Sequence, residues 1–146
     1  MIDIYASLQE DHNEIRDFLA QLEKDPLDMK TLHKLQNEML LHNQAEEKVF
    51  YYALKDKLGA LGVVSDLGKK EHESADQLLA TYINSTVNKD DQNTIFSLLK
   101  RSILEHIEKE EKEMFMLANN HITQAEAQEM HKKFKREKDN IKDETK

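Results

Sequence analysis

Apolar residues recur three or four positions apart along four stretches of the chain, the spacing that places side chains on one face of a helix. The first stretch carries Ile4, Leu8, Ile15, Leu19 and Leu22 and stops near Asp25-Pro26. The second is expected to begin there, with Asp25 as the N-cap and Pro26 at the first helical position. It runs through Leu32, Leu35, Met39, Val49, Phe50 and Ala53 to about Lys57. The Gly59–Gly62 region interrupts the pattern, and Ser65 or Asp66 is the expected cap of a third helix carrying Gly68, Ala75, Leu79 and Ile83 to about Thr86. Asn88–Asp91 reads as the next turn, ahead of a fourth helix with Ile95, Leu99, Ile103, Met114 and Leu117. Thr123-x-x-Glu126 has the spacing of a capping box and would open a fifth, shorter helix with Ala127, Met130 and Phe134 on one side. Short connections favour antiparallel neighbours. The expected fold is therefore all-α: an up-down-up-down four-helix bundle over residues 1–120 and an additional short C-terminal helix or tail over 121–146, together one domain of 1–146.

Composition supports helices and narrows the chemistry. Three Gly and one Pro against 34% charged residues leave too few turn residues for a meander of short strands. The absence of cysteine excludes disulfides, thiolate metal sites and iron–sulfur clusters. No apolar run approaches the roughly 20 residues that span a bilayer, and MIDIYASLQEDH has neither a basic n-region nor a cleavable apolar stretch. The expectation is a soluble, cytoplasmic protein without a membrane partner. The net charge of −8 is uneven: residues 131–146 carry seven Lys/Arg against four Asp/Glu, a local +3 that leaves −11 on residues 1–130. A body that acidic repels phosphates, which argues against nucleic acid as a partner. The acids of the basic tail alternate with its bases, the pattern of a solvated helix face.

Two halves of the chain share a motif. Leu41-His-Asn-Gln-Ala-Glu-Glu-Lys48 aligns with Glu105-His-Ile-Glu-Lys-Glu-Glu-Lys112, and Glu10-Asp-His12 aligns with Lys70-Glu-His72. Each half is a helical hairpin with one His on its first arm and His-x-x-x-Glu on its second. Residues four apart share a helix face, so His42 with Glu46 and His106 with Glu110 point the same way, within the apolar stripes. His12 lies between Leu8 and Ile15, and His72 between Gly68 and Ala75. At about 1.5 Å per residue the arms bring all six to one layer of the core. A buried carboxylate costs several kcal/mol unless it is paired or metal-bound. The alternative, six independent core residues with ordinary hydrogen bonds, does not account for the same pattern occurring twice. Imidazoles suit zinc, copper, iron and nickel, while carboxylates shared by two cations suit a binuclear centre of iron or manganese.

These residues resemble the hemerythrin-like, or HHE cation-binding, family, over essentially the whole chain and with motifs spanning His12 to Glu110. The resemblance implies a cytoplasmic non-haem di-iron protein, with Mn or Zn as possible substitutes. His12, His42 and Glu46 would serve one iron, His72, His106 and Glu110 the other, and Glu46 and Glu110 would bridge them. It implies O2, peroxide or NO as small-molecule partners; a di-iron enzyme consuming peroxide or oxygen, or a protein of iron-centre repair or nitrosative stress, is the alternative. The chain departs from the oxygen carriers, which have His-x-x-x-His on the third helix where this chain has His72-x-x-x-Asp76, and His-x-x-x-x-Asp on the fourth where it has His106-x-x-x-Glu110. Asp76 is thus a possible further ligand, with orienting an imidazole or simple surface exposure as the alternatives, and Arg16 is its non-ligating counterpart in the repeat. Glu47 and Glu111 read as solvated, with a role orienting an imidazole as the alternative, and Phe50 and Met114 are core residues able to wall a small cavity. His33, His121 and His131 are expected on the surface, and no spacing selects any of the four tyrosines as a ligand.

Overall fold

The helical periodicity is realised along the chain of this computed structural model, which describes residues 2–84 and 89–144. In order, the helices are α1 (Ile4–Lys24), α2 (Met29–Glu46), α3 (Tyr52–Leu58), α4 (Val63–Asn84), α5 (Lys89–Lys109), α6 (Phe115–Asn119) and α7 (Gln124–Glu144). Glu47–Tyr51 joins α2 to α3 as a π-helical turn, and Glu110–Met114 joins α5 to α6 in the same way. The four arms of the bundle are therefore α1, α2–α3, α4 and α5–α6. There is no strand among the described residues.

Local chemistry sets the boundaries, and three differ from expectation. The second arm starts at Met29 because Asp28, not Asp25, is its N-cap, accepting hydrogen bonds from the Lys30 and Thr31 amides and, at 2.7 Å, from Thr31 Oγ1. Pro26 stays in the turn, where its carbonyl accepts the Tyr82 hydroxyl at 2.6 Å. The third arm starts at Val63, two or three residues before the expected caps, because a 3₁₀ turn over Gly59–Gly62 feeds it directly. Gly59 opens that turn at φ +57°, a conformation natural to glycine. Asp66 lies inside α4 and pairs with Lys55 at 3.0 Å. Asp90 and Asp91 occupy the first turn of α5 rather than a loop, while Thr86 and Asn88 lie outside the described residues. The capping box forms: the Thr123 amide donates to Glu126 Oε1 and the Glu126 amide to Thr123 Oγ1.

The core falls into two apolar clusters. One gathers Ile4, Leu8, Phe50, Leu54, Met114 and Phe134, and the other Ile15, Leu19, Leu35, Met39, Leu99 and Ile103. Between them lies a layer containing His12, His42, Glu46, His72 and Glu110, all buried. The C-terminal helix is part of this core. α7 packs on α1, α2 and the first π turn, and it buries Ala127, Met130, Phe134 and Ile141. No helix among the described residues is long and apolar enough to cross a membrane.

Phe134 is fully buried, with its ring 5.9 Å from that of His42. Phe134→Ala should lower the unfolding free energy of metal-free protein by about 3–5 kcal/mol in urea titrations. Tyr52→Ala, at a position 70% exposed, should stay within about 0.5 kcal/mol of the parent.

Candidate metal centre

The six residues singled out by the repeat converge in the layer between the two apolar clusters. Two groups of four form there, His12, His42, Glu46 and Glu110 on one side and Glu46, His72, His106 and Glu110 on the other, with the donor atoms of each within 4.8 Å of one another. Both carboxylates belong to both groups. His12 Nε2 stands 3.2 Å from Glu110 Oε1, His42 Nε2 3.6 Å and His72 Nε2 3.1 Å from Glu46 Oε1, and His106 Nε2 3.3 Å from Glu110 Oε2. Donors around one cation at bonds of about 2.0–2.2 Å sit roughly 3 Å apart, so these spacings suit a shared metal shell.

The hydrogen-bonding deficit points the same way. Buried polar atoms are nearly always paired, yet His12 Nε2, both oxygens of Glu46 and Glu110 Oε1 have no hydrogen-bond partner. Burial and the adjacent Glu110 charge push the Glu46 carboxyl well above its ordinary range. Burial acts likewise on Glu110, but the close approach of Glu46, His106 and His12 outweighs it and holds that group low. Two carboxylates whose oxygens lie within 4.8 Å of each other resist both being charged unless positive charge stands beside them. The residues fit a metal pair: two divalent ions would satisfy the orphaned atoms and neutralise both acids.

The opposite edge of every imidazole is held by a carboxylate. His12 Nδ1 meets Glu111 at 2.7 Å, His42 Nδ1 Asp11 at 2.9 Å, His72 Nδ1 Glu47 at 2.8 Å and His106 Nδ1 Glu71 at 2.7 Å. With Nδ1–H donating outward, each Nε2 is free to ligate, and the carboxylate raises its basicity. The pairing follows the repeat. Asp11 and Glu71, each preceding a first-arm His, hold the His of the second arm in their own hairpin; Glu47 and Glu111, each following a shared Glu, cross to the other hairpin. Three of the four carboxylates are braced by a cation: Glu111 by the Arg16 guanidinium at 2.9 and 3.1 Å, Asp11 by Lys138 at 2.9 Å and Glu71 by Lys109 at 3.4 Å. Burial raises the Glu111 carboxyl, but His12 and Arg16 prevail and bring it down to about 2.

The family model for the hemerythrin HHE cation binding domain matches residues 3–118. The chain belongs to this family. No curated protein and no solved structure matches it. The matched segment contains all six residues of the two groups and stops before α7, the helix that supplies Lys138 to the Asp11–His42 pair.

Other candidates fall elsewhere. Asp76 is exposed on α4 and belongs to neither group; the inward face of that helix is His72, Ala75 and Leu79, and Asp76 borders a surface recess with Gln36 and Leu40. Glu47 and Glu111 are half-buried and bonded to imidazoles rather than solvated. Phe50 and Met114 belong to the cluster on one side of the layer, whereas the small cavity of about 20 Å³ beside the histidines lies on the other, against Ile15, Met39, Ala75, Ile103 and Ile107. His33 and His121 are exposed, but His131 is half-buried, with Nδ1 2.5 Å from Ser7 Oγ. Asp11, Glu14 and Glu38 form a further acidic group, in which the Lys138 ammonium already bridges Asp11 and Glu38.

Spacing did not select Tyr51. Its hydroxyl donates to Glu110 Oε2 at 2.7 Å and lies 3.4 Å from both His72 Nε2 and His106 Nε2. In a regular helix Tyr51, five residues after Glu46, would point roughly 140° away from it. The π turn, with its i→i+5 closure, returns residue 51 to the face of Glu46.

Asp11→Asn should weaken metal binding about 10- to 100-fold by releasing the His42 ring, while Asp76→Ala leaves it unchanged. Chelator competition titrations on the two variants and the parent check both outcomes.

Proposed function

We propose that the chain is a di-iron protein that binds a small molecule of diatomic or peroxide size at its metal centre. The observation that carries this reading is the sharing of Glu46 and Glu110 between two groups of donors while their buried oxygens lack hydrogen bonds. His12 and His42 would hold one ion, His72 and His106 the other, and the two carboxylates both. Mixed imidazole and carboxylate donors suit iron, with manganese or zinc as substitutes. Iron in such a site supplies binding and redox chemistry toward O2, peroxide or NO when bound.

The protein's own residues define what reaches it. The cavity beside the histidines, about 20 Å³ and lined by the four imidazoles together with Ile15, Met39, Ala75, Ile103 and Ile107, has room for about one water-sized molecule. That volume suits O2, NO or peroxide better than an organic substrate. The four outer carboxylates hold the Nδ1 edges of the imidazoles and fix their direction, so the ring of donors is set before metal arrives. Glu46 and Glu110 are shielded from bulk water between the two apolar clusters.

Anaerobic reconstitution with Fe(II) should give two irons per chain, one for each donor group, with spectral changes on adding O2, H2O2 or NO separately. Binding energy absent from the unfolded chain adds to stability, so holo protein should melt well above apo protein. Iron uptake below about 0.3 per chain, or equal melting temperatures, would contradict a site built to be filled.

A further inference from the structure

The repeat that builds the two halves of the centre is broken at two matched pairs of positions stacked beside its histidines. Tyr51 follows Glu46 by five residues, and Phe115 follows Glu110 by five, each carried inward by a π turn. Each ring stacks on a histidine of the opposite hairpin: Tyr51 on His72 with centroids 5.3 Å apart and planes at 13°, Phe115 on His12 at 6.3 Å and 10°. Four residues before those histidines stand Gly68 and Leu8. So one half pairs Tyr with Gly, where the other pairs Phe with Leu.

Gly68 makes the Tyr51 position possible. A Cβ on residue 68 would fall 2.6 Å from the Tyr51 hydroxyl and 2.8 and 2.9 Å from two ring carbons. The phenol lies against the bare glycine backbone, and its oxygen thereby reaches 2.7 Å from Glu110 Oε2 and 3.4 Å from the Nε2 atoms of His72 and His106. Those distances match the spacing of the donors among themselves, 3.1 Å from His72 to Glu46 and 3.3 Å from His106 to Glu110. An oxygen so placed against three donors stands at a further vertex of the same metal shell. Phe115 offers no counterpart.

We propose that Tyr51 is a fifth protein ligand of the metal held by His72 and His106, and that the Tyr51–Gly68 pair makes the two metal positions chemically unequal. The inference rests on the di-metal reading above. When the phenol oxygen bonds the cation, its proton, now donated to Glu110, is released to solvent, and the oxygen binds as phenolate. The ion between His72 and His106 then carries one more anionic donor than its neighbour, which favours its higher oxidation state. Gly68 is a positioning residue, acting through the ring it admits.

The test uses the full chain loaded anaerobically with Fe(II), oxidised with ferricyanide, and measured for iron content and by resonance Raman in the visible. The expected result is a phenolate-to-ferric charge-transfer band with enhanced tyrosine ring vibrations. Tyr51→Phe, which installs the ring the other half already uses, should abolish those vibrations and weaken binding of one iron about tenfold or more. Gly68→Ala should shift or weaken the band with Tyr51 still present. Parent protein carrying two irons without tyrosine vibrations would overturn this proposal and leave the di-metal reading standing, as would tyrosine vibrations that persist in Tyr51→Phe. Parent protein that takes up no iron overturns both.

Discussion

Two carboxylates, Glu46 and Glu110, are fully buried and face each other at the middle of the bundle. An uncompensated buried charge costs several kcal/mol, and removing one partner of a buried charged pair leaves the other exposed to that cost. Much of the rest of the structure answers this constraint. Four imidazoles surround the acids, four outer carboxylates fix the imidazoles, and Arg16, Lys109 and Lys138 brace three of those. The polar layer thus extends outward in alternating charge until it meets solvent, and the apolar core is split into two clusters to accommodate it. Family membership and geometry agree on what the innermost shell is suited to hold: cations.

The π turns belong to the same arrangement. Each begins at or just after a shared glutamate and adds a residue to the helical circuit, so that both position i+4 and position i+5 of the second arms serve the layer: Glu46 after His42, then Tyr51 after Glu46; Glu110 after His106, then Phe115 after Glu110. A regular α-helix would have turned the aromatic ring of each pair toward the helix flank. π insertions of this kind commonly coincide with functional sites, and here they set which ring lies on which histidine. α7 is joined to the layer too, through Lys138 on Asp11 and Phe134 against His42.

Much of this was legible in the sequence because it depends on periods of three and four. The four arms, the apolar stripes, the capping box at Thr123 and the doubled His-x-x-x-Glu all follow from residues spaced on one helix. What was not legible depends on registers between helices or on departures from the α-helix. Asp25-Pro26 carries the generic signals of a helix start, yet Asp28 wins because its side chain reaches the Lys30 and Thr31 amides. Asp76 follows His72 by four residues but faces outward, since His72 and Ala75 occupy the inward edge of α4 and residue 76 falls past it. The outer carboxylates left a faint trace, an acid before His12 and His72 and after Glu46 and Glu110 in both halves, but which imidazole each one holds is a matter of packing. Tyr51 was hidden by the π turn, and its partner Gly68 looked like an ordinary gap in an apolar stripe.

The central claim is that two cations share Glu46 and Glu110. A crystal structure of iron-loaded protein, with anomalous difference density collected at the iron edge, tests it most directly. The account predicts two peaks within the polar layer, roughly 3.5–4 Å apart as in other two-metal sites, each within bonding distance of both carboxylates. A single peak, or peaks lying away from Glu46 and Glu110 such as among Asp11, Glu14 and Glu38, would contradict it.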